Sequence, residues 1–208
     1  MRKTDADHWA EATRGHQLAH DHRRQGPCLD KHPKALLWFY GLPGSGKSTL
    51  AQAVSGRLRG AGVNVYVLDG DILRTGLNRD LGFSPKDRHE NIRRTAEVGR
   101  LLLDAGLMVM AAFITPYEKS RGMVRQIMRG LPYYECFVSC SLEECIRRDP
   151  KGLYQKSRQG QLSNLTGMGS PFEAPSSPDL LIDTEHLSID EAVQLIWDFM
   201  AGHGLVPD

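Results

Sequence analysis

Gly41-Leu42-Pro43-Gly44-Ser45-Gly46-Lys47-Ser48 is the stretch that decides the fold. It matches G-x-x-x-x-G-K-[ST] in full, the pattern of a loop that cradles phosphates. The chemistry explains the residue types. Glycines let successive backbone N–H groups turn inward on phosphate oxygens without a Cβ in the way. A helix beginning at Lys47 adds the partial positive charge of its N-terminus. Lys47 can bridge the β- and γ-phosphates of ATP, and the Ser48 hydroxyl can ligate Mg²⁺. Gly41, Gly44, Ser45, Gly46, Lys47, Ser48 and Thr49 are the residues expected on ATP, with Ser48 on the metal.

The flanks supply the context that a chance glycine-rich turn would lack. Ala35 to Tyr40 (ALLWFY) is a continuous apolar run, as a strand buried on both faces should be. Lys47 to Ala61 reads as a helix and Asn64 to Leu68 as a second strand. Arg88 to Ala105 repeats apolar residues at helical spacing, and Leu107 to Ile114 and Tyr134 to Ser139 read as strands. Leu180 to Ile182 is a fifth strand, and Ile189 to Met200 a closing helix. Ser84-Pro85-Lys86-Asp87 marks a helix start, and Ser141-Leu-Glu-Glu144 and Ser188-Ile-Asp-Glu191 read as capping boxes. Strands alternating with helices predict an α/β fold, a parallel β-sheet of the P-loop NTPase type covered by helices on both faces. Residues 147–178 are basic first, then rich in Gly, Ser and Pro, which suggests a mobile lid rather than a packed element.

The bulk properties narrow the function. The 208 residues suit one domain, 33–208, preceded by a polar, His-rich extension over 1–32. A formal net charge of +1 supplies no field to draw the chain onto nucleic acid or an anionic membrane, so neither is an expected partner. No apolar stretch approaches the roughly 18 residues of a membrane span, and the first residues lack a signal peptide's apolar core. Cys28, Cys136, Cys140 and Cys145 have neither CxxC spacing nor a histidine pair beside them, as expected of reduced, mostly buried thiols. These features together point to the cytoplasm.

Asp69-Gly70-Asp71 ends the second strand, where ligands of open α/β sheets bind. A carboxylate there can accept the proton of an attacking hydroxyl or orient a magnesium shell, and Asp71 can alternatively cap the next helix. Arg147, Arg148, Lys151, Lys156 and Arg158 put five cations in twelve residues just before the flexible stretch. Arg148 is the candidate to stabilise charge on a transferred phosphoryl group or to grip ATP.

From Asp69 onward the sequence resembles the adenylyl-sulfate kinase family. The resemblance rests on Asp69-Gly-Asp71-Ile-Leu-Arg74 with Gly76-Leu-Asn78, and on Asp80-Leu-Gly-Phe83-Ser-Pro-Lys-Asp-Arg88-His-Glu-Asn91-Ile-Arg-Arg94. Phe113-Ile114-Thr115-Pro116, Arg148-Asp-Pro-Lys151-Gly-Leu-Tyr154, Thr166-Gly167 and Pro171-Phe-Glu-Ala-Pro175 follow in family order. The resemblance implies a kinase transferring the ATP γ-phosphate to the 3′-hydroxyl of adenylyl sulfate, with Mg²⁺, in sulfate assimilation or sulfation. It implies Lys47, Asp71, Thr115 and Arg148 as catalytic. It implies Asp69, Arg74, Phe83, Arg88, Asn91, Ile114, Thr115, Lys151 and Leu165 as acceptor-binding. A homodimer is implied too, and association with an ATP sulfurylase is admitted. Arginine forks suit the anionic head of such an acceptor, and Phe83 suits stacking on its adenine, although it could instead belong to the core.

Several positions depart from the family pattern. Thr115 stands where Ser is usual, and Thr115-Pro-Tyr-Glu118 also reads as a helix start with a capping Thr, which favours capping and ligand contact over a phosphoenzyme. Leu165 replaces a Phe that stacks on the second adenine face, and Phe172 stands near enough in sequence to compensate. Ile72, Thr75 and Pro43 differ as well. Two other readings remain open at this point: a kinase of another hydroxylated metabolite, and a nucleotide-binding module that regulates a partner without catalysis. Arg93 and Arg94 are either site cations or surface partners of Asp87 or Glu90.

Overall fold

Strand β1 (Leu36–Tyr40) is buried at every residue in the computed structural model, which describes residues 33–207. The extension expected over 1–32 lies outside the described residues. After β1 come α1 (Lys47–Gly60), β2 (Val65–Asp69), α2 (Gly70–Thr75), α3 (Pro85–Asp104) and β3 (Met108–Ala112). The chain continues through α4 (Glu118–Ile127), β4 (Tyr133–Ser139), α5 (Leu142–Arg148), α6 (Leu153–Arg158), β5 (Leu180–Asp183) and α7 (Ile189–Gly202).

The strands form one five-stranded sheet in the order β2-β3-β1-β4-β5, parallel throughout. Alternation along β1 divides the core into two layers. Leu37 and Phe39 face α1 and α7, which contribute Leu50, Val54, Leu58, Ala192, Ile196 and Met200. Leu36, Trp38 and Tyr40 face the other way, onto α3 and α4 through Ile92, Ala96, Val124 and Met128. A strand whose two faces both meet helices must be apolar at every position, which is why β1 reads as an unbroken run.

Ser84 caps α3, its hydroxyl accepting the Asp87 N–H at 3.1 Å, and Ser188 forms the complete capping box on α7. At Ser141 only half the box forms. Its hydroxyl takes the Glu144 N–H, but its own N–H donates to Glu185, because Glu144 is held by Arg147 and Arg148.

Two expectations need correction. Residues 147–178 are not without packing: they contain α6, and Tyr154, Leu165 and Thr166 are buried there around Cys145 and Leu142. Thr115 does not cap α4. That helix starts at Glu118, whose N–H donates 2.6 Å to the Glu173 carboxylate arriving from the far end of the lid segment. The local Thr-Pro-x-Glu pattern loses to a stronger, charged acceptor brought in by tertiary structure.

Candidate active site

The carboxyl ends of β1, β2, β3 and β5 open into one cleft of about 650 Å³. At its floor the loop after β1 turns through Gly41, Gly44 and Gly46, all at positive φ. A Cβ on Gly41 would stand 2.3 Å from the Val138 carbonyl oxygen of the neighbouring strand, so only glycine fits. Lys47, the first residue of α1, folds back with Nζ 2.6 Å from the Leu42 carbonyl and 3.4 Å from Ser45 Oγ. Burial pushes its ammonium pKa down to about 8, so the lysine is poised to gain from an arriving anion.

Ser48 Oγ donates to Asp69 Oδ2 at 2.6 Å, and Asp69 Oδ1 accepts the Asp71 N–H at 2.9 Å. Asp69 is therefore the cap of α2 and the partner of the loop serine. The capping role weighed for Asp71 falls to Asp69, which lines the same cleft as Arg74, Phe83 and Arg88. Ser48 and Asp69 form a pair of hard oxygen donors beside the phosphate loop, a donor set that fits magnesium. Asp71, on the first turn of α2, is exposed and ion-paired with Lys151.

Across the cleft, Arg74 donates to the Leu81 and Gly82 carbonyls at 3.0 and 3.1 Å, and its guanidinium lies 4.3 Å from the Phe83 ring centroid. Phe83 is 57% exposed and lines the cleft, which rules out the core reading. Arg88 donates to the Phe83 carbonyl at 3.0 Å, and to Thr166 Oγ1 and the Asn164 carbonyl, each at 2.6 Å. Burial, and then the adjacent Arg88 charge, lower the Arg74 pKa, while burial lowers that of Arg88. Two cations weakened by burial and proximity make a site that an anion relieves. Asn91 is buried, its Oδ1 accepting from Asn78 at 2.9 Å, and it lines the same wall. Ile114 and Thr115 follow β3 into the cleft, where Thr115 Oγ1 accepts from the Trp38 indole at 2.9 Å.

Two predicted site residues are also held by the protein itself. Arg148 reaches the cleft with three of its five N–H donors engaged: Nε by Glu144 at 2.8 Å, and one on each amino group by the Thr184 hydroxyl and carbonyl at 3.3 and 2.5 Å. It braces the residue that follows β5. Leu165 is 6% exposed and packs with Cys145 and Tyr154 while still lining the cleft. Phe172 does not compensate; it stacks on Phe137 with centroids 5.9 Å apart, on the α3–α4 side of the sheet. Arg93 and Arg94 both pair with Glu90, and Arg94 also with Asp80, as surface partners should.

Sequence reasoning missed several residues that brace the site. The Tyr154 hydroxyl donates to the Pro43 carbonyl at 2.9 Å, tying α6 to the phosphate loop. Thr184 Oγ1 donates to the Ser45 carbonyl at 2.9 Å, a contact 139 residues distant in sequence that no local pattern announces.

The model of the adenylylsulphate kinase family matches residues 33–183. This chain belongs to the adenylyl-sulfate kinase family. Among its relatives, the adenylyl-sulfate kinase of Pseudomonas entomophila (strain L48) is 52% identical over 178 residues, 86% of each chain. A solved structure of the Mycobacterium tuberculosis APS kinase CysC in complex with AMPPNP and APS is 44% identical, with a TM-score of 0.79, covering 82% of this chain and 99% of that one. A hexameric APS kinase from Thiobacillus denitrificans is 32% identical with a TM-score of 0.65, covering 85% of this chain and 30% of that one. Membership fits the geometry: a kinase loop at one end of the cleft, paired arginines and an aromatic face at the other. Among the described residues no helix is long and apolar enough to cross a membrane.

Proposed function

We propose that this kinase transfers the γ-phosphate of ATP to the 3′-hydroxyl of adenylyl sulfate, giving 3′-phosphoadenylyl sulfate and ADP. The observation that carries the reading is the single cleft that holds Lys47 and Ser48 on one side and Arg74, Phe83 and Arg88 on the other, with Asp71 exposed between them. The loop backbone and Lys47 bind the triphosphate, and Ser48 and Asp69 would hold magnesium. When bound, the metal neutralises charge on the phosphates. Phe83 stacks on the acceptor's adenine with Arg74 behind its ring, and Arg88, Asn91 and Lys151 hold the anionic head. As Lys151 turns to that head, its ion pair with Asp71 opens. The freed carboxylate then orients the hydroxyl and accepts its proton.

Direct in-line transfer needs no covalent intermediate on Thr115, whose hydroxyl already accepts the Trp38 N–H. Arg148, at the cleft wall, stabilises charge on the transferred phosphoryl group or grips ATP with its two unengaged N–H donors. Domain limits of 33–208 with a lid at about 147–178, a cytoplasmic setting, a homodimer and association with an ATP sulfurylase complete the reading. ADP release from purified protein with Mg-ATP tests it. Release should depend on micromolar adenylyl sulfate, be absent with AMP, and vanish in Lys47→Ala. ATP binding without stimulation by adenylyl sulfate would overturn the acceptor assignment.

A further inference from the structure

Arg121, on α4, lines no part of the cleft and is 1% exposed, so its charge is engaged entirely within the protein. Nε meets Glu118 at 3.0 Å, one amino group donates 3.1 Å to the Thr115 carbonyl, and the other donates 2.8 Å to the Glu173 carbonyl. The guanidinium also sits 5.3 Å from the centroid of the Tyr40 ring, at the end of β1.

Both carbonyls it holds have reason to need holding. Thr115 has φ of +41°, a left-handed conformation that is an outlier for a β-branched residue and persists only where neighbours over-determine it. Glu173 is tied to the same turn at every polar group. Its N–H donates 2.8 Å to the Pro116 carbonyl, its carboxylate accepts the Glu118 N–H, and its carbonyl accepts from Arg121. One buried guanidinium thus fastens two segments to each other: the turn that carries Ile114 and Thr115 into the cleft, and the returning end of the lid.

We propose that Arg121 is a positioning residue for acceptor binding. It holds Thr115 in its strained conformation and anchors the lid's return at Glu173, so that the acceptor wall and the lid form one preorganised surface. A planar, multiply donating cation is required, since an ammonium cannot span both carbonyls in one plane. This rests on the function proposed above, so the test carries one readout that is independent of turnover.

Arg121→Lys keeps the buried charge and some of the donors; Arg121→Met removes both. With Lys, the KM for adenylyl sulfate should rise about tenfold while the affinity for Mg-ATP changes less than threefold and kcat falls less than the ratio kcat/KM. With Met, the rise should be larger. Hydrogen–deuterium exchange of the ligand-free Lys variant should speed up together in peptides covering 113–118 and 170–175, with the strands unchanged. Equal loss of ATP and acceptor affinity, or faster exchange in only one of the two segments, would overturn the proposal. If the Met variant does not fold, the Lys variant and the exchange data decide. If the wild-type protein shows no turnover with adenylyl sulfate, the acceptor assignment fails, and the paired exchange response alone decides whether Arg121 couples the two segments.

Discussion

Lys47 is held inside its own loop, and its pKa of about 8 has consequences that can be measured. Burial is the main cause; the Cys145 and Asp69–Asp71 side raises it, and Lys151 lowers it. A folded pKa below the ordinary lysine value means the charged form is the costly one in the native state. The penalty is present in full below about pH 8, and stability recovers as pH rises from there toward the unfolded lysine value. Nucleotide binding runs the other way, because triphosphate favours the protonated lysine. Mg-ATP analogue binding between pH 8 and 9 should therefore take up a proton, seen by calorimetry in buffers of different ionisation enthalpy, and the uptake should disappear in Lys47→Met.

Asp71 carries a separate expectation at the same scale. Asp71→Asn should lower kcat by about 10²–10⁴-fold with ATP affinity nearly unchanged, as measured by acceptor-dependent ADP release. Phe83→Ala should raise the acceptor KM by about tenfold or more, since stacking on one base contributes about 1–3 kcal/mol. Leu165, an aliphatic residue in the cleft wall, offers no aromatic face, so the loss on removing Phe83 should be read at Phe83 itself.

Among the elements, α3 links stability to the site. Its first two turns carry Arg88 and Asn91, and Ser84 fixes where the helix begins. Ser84→Ala should cost about 1 kcal/mol in chemical denaturation, and it should also weaken adenylyl sulfate binding by calorimetry because the frayed turn displaces Arg88. The helices differ in how far sequence announced them. The first turns of α3 and α7 were legible because serine caps and acidic third residues act locally. The six-residue α2 and α6 were not legible: neither is long enough to show an amphipathic period, and α2 depends on a cap, Asp69, that was read as a ligand-binding group. The start of α4 was misread because its cap comes from Glu173, 55 residues away.

The described residues form a sheet sandwiched between two helical layers with the cleft at the carboxyl ends of its strands, so binding there should be felt as global stability. Mg-ATP analogue at a hundred times its Kd should add about 2.7 kcal/mol to unfolding. Chelation of magnesium with EDTA should remove much of that gain in thermal melts, and Ser48→Ala should blunt the response to the metal. The sequence by itself determined the parallel α/β fold and the phosphate loop, because apolar periodicity and glycine geometry are properties of short segments. Only the tertiary structure decided that Asp69 serves Ser48, that Arg148 braces Thr184, that Leu165 is buried within the lid, and that Arg121 joins Thr115 to Glu173. Those assignments depend on carbonyls and carboxylates brought together from distant parts of the chain. A buried donor is committed to whichever acceptor packing places beside it, and local sequence does not encode that neighbour.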